Sequence, residues 1–177
     1  MRAALELNPK ALILRTNLGW LHYLRRQYPL AIHEMQAVVK DHPDFVTAHY
    51  KLWWVYSATG DAPGAWSELR AFAHLMFTPD NEKRLATVYE KEGYVAALKA
   101  IVFFSSGNYS EGLVDDARCM TFAGNKAAAL EFLERALKDR EGWLIFLETD
   151  PAFDSLRSDP KYSPLVQELH TVSASPQ

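Results

Sequence analysis

Apolar residues recur at three- and four-residue steps along most of this chain. After Pro29, for example, Ala31, Met35 and Val38 would share one face of a helix. Alternation of apolar and polar residues, which is typical of half-buried strands, never extends beyond a few positions. The pattern therefore predicts an all-α fold, with helices at 11–26, 29–41, 45–58, 63–76, 80–92, 94–104, 110–122 and 126–139.

Prolines and glycines lie at the boundaries of these segments. Pro29 and Pro63 each fit the first turn of a helix, where the missing N–H leaves no hydrogen bond unmade. Gly60 and Gly124 come just after predicted helix ends, where the backbone often turns left-handed. Their positions support the helix boundaries that the apolar spacing predicts.

A pair of these helices recurs with a period of 34 residues. The stretch LGWLHYLRRQYPLAIHEM at 18–35 returns as LWWVYSATGDAPGAWSEL at 52–69, with Leu18 matched by Leu52. Two helices and a turn repeated at this period are the pattern of a helical-hairpin solenoid.

Four copies of the hairpin can be aligned. In each copy, a residue of the first helix stands 13 places before a residue of the second helix that would contact it. The copies start 34, 33 and 31 residues apart. Trp53 stands where the first copy has Gly19 and the fourth has Ala117, and this predicts a splayed hairpin or a rotated first helix. Leu98 stands where the other three copies have alanine, which predicts a distorted hairpin. The pairs are Leu18 and Ala31, Leu52 and Ala65, Leu85 and Leu98, and Asp116 and Ala129.

These motifs resemble the tetratricopeptide repeat family, in which Leu-Gly on the first helix is paired with Ala on the second, as in Leu18-Gly19 and Ala31. The resemblance implies a right-handed α-solenoid of about four hairpins that binds a peptide or partner protein through its concave face. The hairpins would occupy about 12–45, 46–78, 79–109 and 110–141, after the end of a preceding helix at 1–11.

The last part of the chain breaks the period. Residues 142–170 are similar to the segment that follows the repeats in many bacterial multidomain regulators, and we expect them to cap the last hairpin. Asp150-Pro151 and Asp159-Pro160 would each start a helical turn, with Asp as the N-cap. Residues 171–177 are expected to be disordered. The residues expected to cover the hairpin are Phe153, Leu156, Tyr162, Leu165 and Leu169.

The first helices of such hairpins line the concave face, and aromatic residues there suit the capture of a peptide or a helix. Chaperone-binding members of the family grip a carboxylate with Lys and Asn, but Thr16, Trp20 and Tyr50 stand at the corresponding places here. The alternative is that Trp20 and Trp54 only pack between hairpins. The predicted partner-binding residues are Thr16, Trp20, Tyr23, Tyr50, Trp54, Lys83 and Arg118.

Composition narrows the classes of function. The 177 residues are 49% hydrophobic and 23% charged, which is ordinary for a soluble globular domain. A formal charge of -3 without a basic stripe argues against nucleic-acid binding by this region. The apolar stretch 94–104 is too short to cross a membrane, and no signal peptide is present. We therefore expect a cytoplasmic location.

The search for chemistry gives no catalytic site. Cys119 is the single cysteine, and no paired Cys/His spacing or HExxH motif would hold a metal. His22, at a place usually given to Tyr, fits a core histidine. The acidic run around Asp150 fits helix caps, and no glycine-rich phosphate loop is present. We expect no catalytic residues, no metal and no cofactor.

The sequence leaves two functional hypotheses. The first is a non-catalytic protein–protein interaction module, with no enzymatic activity, that binds a peptide or partner protein. The alternative is a sensory, regulatory or dimerisation part of a larger bacterial transcription regulator or signalling enzyme. Because an open end of such an array exposes apolar surface, a homodimer is also expected.

Overall fold

The computed structural model describes residues 9–105 and 112–174, with side chains described at 12–104 and 112–171. These residues are mostly helical and contain no strand, which confirms the all-α prediction. The helices are α1 (Pro9–Leu24), α2 (Tyr28–Asp41), α3 (Val46–Thr59), α4 (Ala62–Met76), α5 (Pro79–Glu92), α6 (Tyr94–Ser105), α7 (Leu113–Phe122), α8 (Lys126–Lys138) and α9 (Tyr162–Ala174), with 3₁₀-helices at Gly142–Phe146 and Pro151–Leu156.

The chain forms two compact units. Unit 1 is Met1–Arg84 and unit 2 is Leu85–Gln177, so the division falls within α5. In unit 1, α1 packs on α2 and α3 packs on α4, while α3 also contacts α1 and α2. In unit 2, α7 packs between α6 and α8. Within α1–α4 and within α6–α8, helices that follow one another in sequence are therefore neighbours in space.

The first pair of helices approaches closely at Gly19. A β-carbon at this position would lie 2.8 Å from the Met35 side chain and 3.2 Å from the backbone oxygen of Ala31. A side chain here would force α1 and α2 apart. The requirement for a small residue at this position of the first hairpin is confirmed.

In the second pair, α3 and α4, a large residue stands at the position that corresponds to Gly19. Trp53 is buried between α3 and α4, where its ring lies 3.9 Å from the Trp54 ring and 6.2 Å from that of Phe72, measured between centroids. Because α3 and α4 pack on each other, the structure does not favour a splayed hairpin, and the alternative of a rotated first helix stays a prediction. The Trp53 ring is stacked on that of Trp54 and tilted by 30° to that of Phe72.

The helix boundaries follow the predicted local signals. Pro29 and Pro63 lie in the first turns of α2 and α4. Gly60, with φ of 75°, ends α3 in the left-handed conformation. The Asp61 side chain then accepts a 3.0 Å hydrogen bond from the Gly64 N–H and caps α4.

The start of α7 is capped from a distance in sequence. The two carboxylate oxygens of Glu141 accept hydrogen bonds from the N–H groups of Leu113 and Val114, at 2.7 and 3.1 Å. A negative charge here complements the positive end of the helix dipole. Gly112, with φ of 137°, leaves room for this carboxylate, since a β-carbon would lie 2.5 Å from it.

The capping segment packs on the last two helices of the repeat region. The 3₁₀-helix Pro151–Leu156 contacts α7, and α9 contacts α8. Asp150 caps Ala152 N–H at 2.9 Å as predicted, whereas Asp159 bonds the N–H of Lys161 in a turn before α9. The expectation of disorder from residue 171 needs correction, because α9 continues to Ala174; residues 175–177 lie outside the described residues. Four of the five predicted capping residues are buried, and Leu169 is half-buried.

Candidate functional site

Five of the seven predicted partner-binding residues lie in the interior of unit 1. Thr16, Tyr23 and Trp54 are 0% exposed, and Trp20 and Tyr50 are 5% exposed. A side chain must be reachable before a partner can contact it. The structure therefore favours the packing alternative for these residues.

Two aromatic clusters account for this burial. On α1, the Trp20 and Tyr23 rings stack with centroids 4.5 Å apart. On α3, the Tyr50 ring meets the Trp54 ring edge-on at 5.9 Å and lies 5.8 Å from that of Phe72 on α4. Such pairs contribute stability beyond the area that they bury. The aromatic residues hold the helices of unit 1 together.

The remaining two predicted residues differ from these and from each other. Lys83 is exposed on α5 in unit 1. Arg118, in unit 2, is 1% exposed and lies on α7, in which residues 114–121 are all buried. The seven residues thus do not form one open face.

Arg118 is the centre of a buried ion-pair network. Its guanidinium donates to Asp150 Oδ2 through Nε at 2.8 Å, and it is also paired with Asp115 on the same helix. The guanidinium carbon lies 5.8 Å from the centre of the Trp143 ring. Because Asp150 also caps the following 3₁₀-helix, the network ties α7 to the capping segment.

A buried lysine that sequence reasoning missed joins α1 to α3. Lys51 is 6% exposed, and its Nζ donates to Asn17 Oδ1 at 2.6 Å and lies 5.6 Å from the centre of the Trp20 ring. Asn17 and Lys51 are 34 residues apart and so occupy equivalent positions of the repeat. That equivalence is the signal that could have predicted their contact.

An open apolar surface of unit 1 lies elsewhere, on the outward side of α1. Leu14, Leu18 and Leu21 follow one another at helical spacing and are 68%, 45% and 50% exposed, and Ile13 beside them is 40% exposed. We call these four residues the α1 surface. The sequence analysis placed Leu18 at the motif position beside Gly19, because it matches Leu52 one period later, and this did not predict its exposure.

A second open feature lies in unit 2, in a groove of about 480 Å³ beside α8 and α9. Pro164 and Leu165 line its apolar part, and Glu134, Lys138 and Glu168 are among the charged groups around it. The volume would suit a small ligand. Its mixed charges favour neither an anion nor a cation.

The described side chains also bear on chemistry. Cys119 is buried, and burial raises the pKa of its thiol well above the usual value, which disfavours the reactive thiolate. Among the residues that the structure describes, no group of three His, Cys, Asp or Glu side chains could hold a metal ion. No helix within 9–105 or 112–174 is long and apolar enough to cross a membrane.

Comparison with known proteins gives no match: no protein-family model, no curated protein and no solved structure is similar to this chain.

Proposed function

We propose that this chain is a non-catalytic protein–protein interaction module, a helical-hairpin array of the tetratricopeptide type, that binds a partner helix through the α1 surface. The observation that carries the proposal is the exposure of Leu14, Leu18 and Leu21 along one line of α1. Contiguous exposed apolar residues mark interaction sites in soluble proteins.

The internal repeat indicates what kind of partner would cover this surface. One period later, Leu14, Leu18 and Leu21 are matched by Ala48, Leu52 and Val55, and all three of these are fully buried in α3. In unit 1, α3 contacts both α1 and α2 in addition to its own partner α4. The face of α3 that corresponds to the α1 surface is therefore covered by other helices, whereas on α1 the same face is exposed. A partner helix would give α1 the surroundings that α3 already has.

The size and charge of the α1 surface describe the partner helix further. Leu14 and Leu21 are seven residues apart, or about 10 Å along the helix, which is about two turns. Arg15 beside it is already paired with Glu34 at 2.8 Å, while the exposed Arg25 lies just past the end of α1, where its N–H bonds the backbone oxygen of Leu21. The partner that fits is an amphipathic helix with two turns of leucine-like residues and an acidic residue at one end.

The second candidate function uses the same surface differently. Leu14 and Leu21 lie on either side of Leu18, so two antiparallel α1 helices would bring the surface onto itself around a two-fold axis. This would make the chain a dimerising part of a larger bacterial regulator, as the resemblance of its capping segment implies.

A photoreactive amino acid at position 21 of the full chain tests both candidates in cells of its source. We expect cross-links to a segment of another protein that forms an amphipathic helix with an acidic end. Cross-links between two copies of the chain would instead assign the surface to the second candidate. The matched control is position 145, where Ile145 in unit 2 is 73% exposed. Labelling at 21 no greater than at 145 would contradict the use of the α1 surface.

A further inference from the structure

His49 is held between two hydrogen-bond acceptors in the interior of unit 1. It lies in the first turn of α3 and is 5% exposed. Its Nδ1 is 2.6 Å from Glu68 Oε2 on α4, and its Nε2 is 2.9 Å from the backbone oxygen of Pro43 in the connection between α2 and α3. One ring thus contacts two elements, the α2–α3 connection that precedes its own helix and the following helix α4.

The two contacts together require a proton that a neutral imidazole lacks. A neutral ring carries one N–H, whereas the ionised carboxylate and the carbonyl both only accept hydrogen bonds. The imidazolium has two N–H groups and satisfies both partners. The two short contacts to oxygen acceptors therefore match the imidazolium form of His49.

The charged surroundings of His49 act in the same direction. The hydrogen bond to Glu68 raises the pKa of His49 above its usual 6.5, the Pro43 carbonyl raises it further, and burial opposes both. Lys51, also buried on α3, contacts Asn17 and Trp20 on α1. Asp44, next to Pro43, is exposed to solvent. Glu68 is therefore the charged group that decides the protonation of this histidine.

We propose that protonated His49 links the α2–α3 connection to α4 through its two hydrogen bonds, so that this part of unit 1 becomes less stable when the histidine loses its proton. In the neutral ring, one of the two nitrogens carries no hydrogen and faces an oxygen that can also only accept a hydrogen bond. The connection at Pro43 or the Glu68 side chain then moves away. The first and second helix pairs of unit 1 meet at this connection, so their packing depends on pH.

The direction of the pH dependence follows from the raised pKa. Stabilisation from a group whose pKa is higher in the folded than in the unfolded state is fully present below the unfolded value, here 6.5. It is lost as the pH rises through the folded value. The stability of unit 1 should therefore fall on the alkaline side of pH 6.5.

Titration of the full chain by NMR, following the imidazole signals, is the test. We expect His49 to titrate above pH 6.5 in the wild type and at a lower pH in Glu68→Gln, which keeps the shape of the side chain and removes its charge. Urea unfolding should give a midpoint that falls as pH rises above 6.5 in the wild type and is nearly flat in His49→Gln. His74→Gln is the matched control, because the His74 side chain is 73% exposed beside Glu82 and its loss should leave the slope in place.

A wild-type His49 that titrates at or below 6.5 would overturn the proposal, as would an unchanged pH slope in His49→Gln. If His49→Gln does not fold, the titrations of the wild type and Glu68→Gln still decide between these outcomes.

Discussion

Arg118→Met should destabilise the protein by about 3–5 kcal/mol. The substitution keeps an unbranched side chain of similar length but removes the guanidinium, which is 1% exposed. Asp150, itself 0% exposed, and Asp115 would then lose the cation between them. The cost is large because a buried carboxylate left without its counter-ion has lost its hydration as well. Urea unfolding followed by circular dichroism measures the difference.

Arg157→Met is the matched control for this prediction. Arg157 pairs with Asp154 at 2.8 Å, but the two side chains are 36% and 42% exposed. An ion pair in contact with water contributes about 1 kcal/mol or less. Equal losses from Arg118→Met and Arg157→Met would show that the Arg118 network is not buried as described.

Trp54→Ala should destabilise unit 1 by about 3–5 kcal/mol. The side chain is 0% exposed and contacts the rings of Tyr50 and Trp53, so its removal leaves a cavity among aromatic residues. The same unfolding measurement applies, with Leu14→Ala as the control in the same unit. Because Leu14 is 68% exposed, its truncation should change the free energy of unfolding by about 0.5 kcal/mol or less.

The outcome for Trp54 also bears on the predicted concave face. If Trp54→Ala were as stable as the wild type, the indole would not be a core residue, and a binding role for the predicted concave face would regain support. A loss of several kcal/mol means that any effect of this substitution on binding reflects unfolding. Substitutions in the α1 surface do not have this problem, because Leu18 and Leu21 are about half exposed.

Much of the fold could be predicted because its signals are local. Pro29 and Pro63 start helices, Gly60 ends one, and Asp150 caps another, each through groups within a few residues. The all-α prediction needed only the spacing of apolar residues. Contacts such as Arg118 with Asp150, 32 residues apart, have no such signal, because they depend on how the capping segment packs.

The orientation of α1 was harder to predict, for a physical reason. Apolar residues occur nearly all round this helix, so their period does not distinguish the buried from the exposed side. Trp20 and Tyr23 point inward, whereas Leu14, Leu18 and Leu21 remain open. The aromatic residues looked like ligand-binding groups for the same reason that they form the core: they bury much area and stack.

The α1 surface can be tested directly by thiol labelling, since the natural Cys119 is buried and burial raises the pKa of its thiol, which disfavours the reactive thiolate. Leu18→Cys and Thr16→Cys place a thiol on the same helix two residues apart, at sites that are 45% and 0% exposed. We predict that a maleimide labels Cys at 18 rapidly in the folded protein and labels Cys at 16 only on unfolding. Bound partner should protect position 18. Rapid labelling at 16, with position 18 unreactive, would contradict the account, because the side of α1 that carries Thr16 would then be the exposed one.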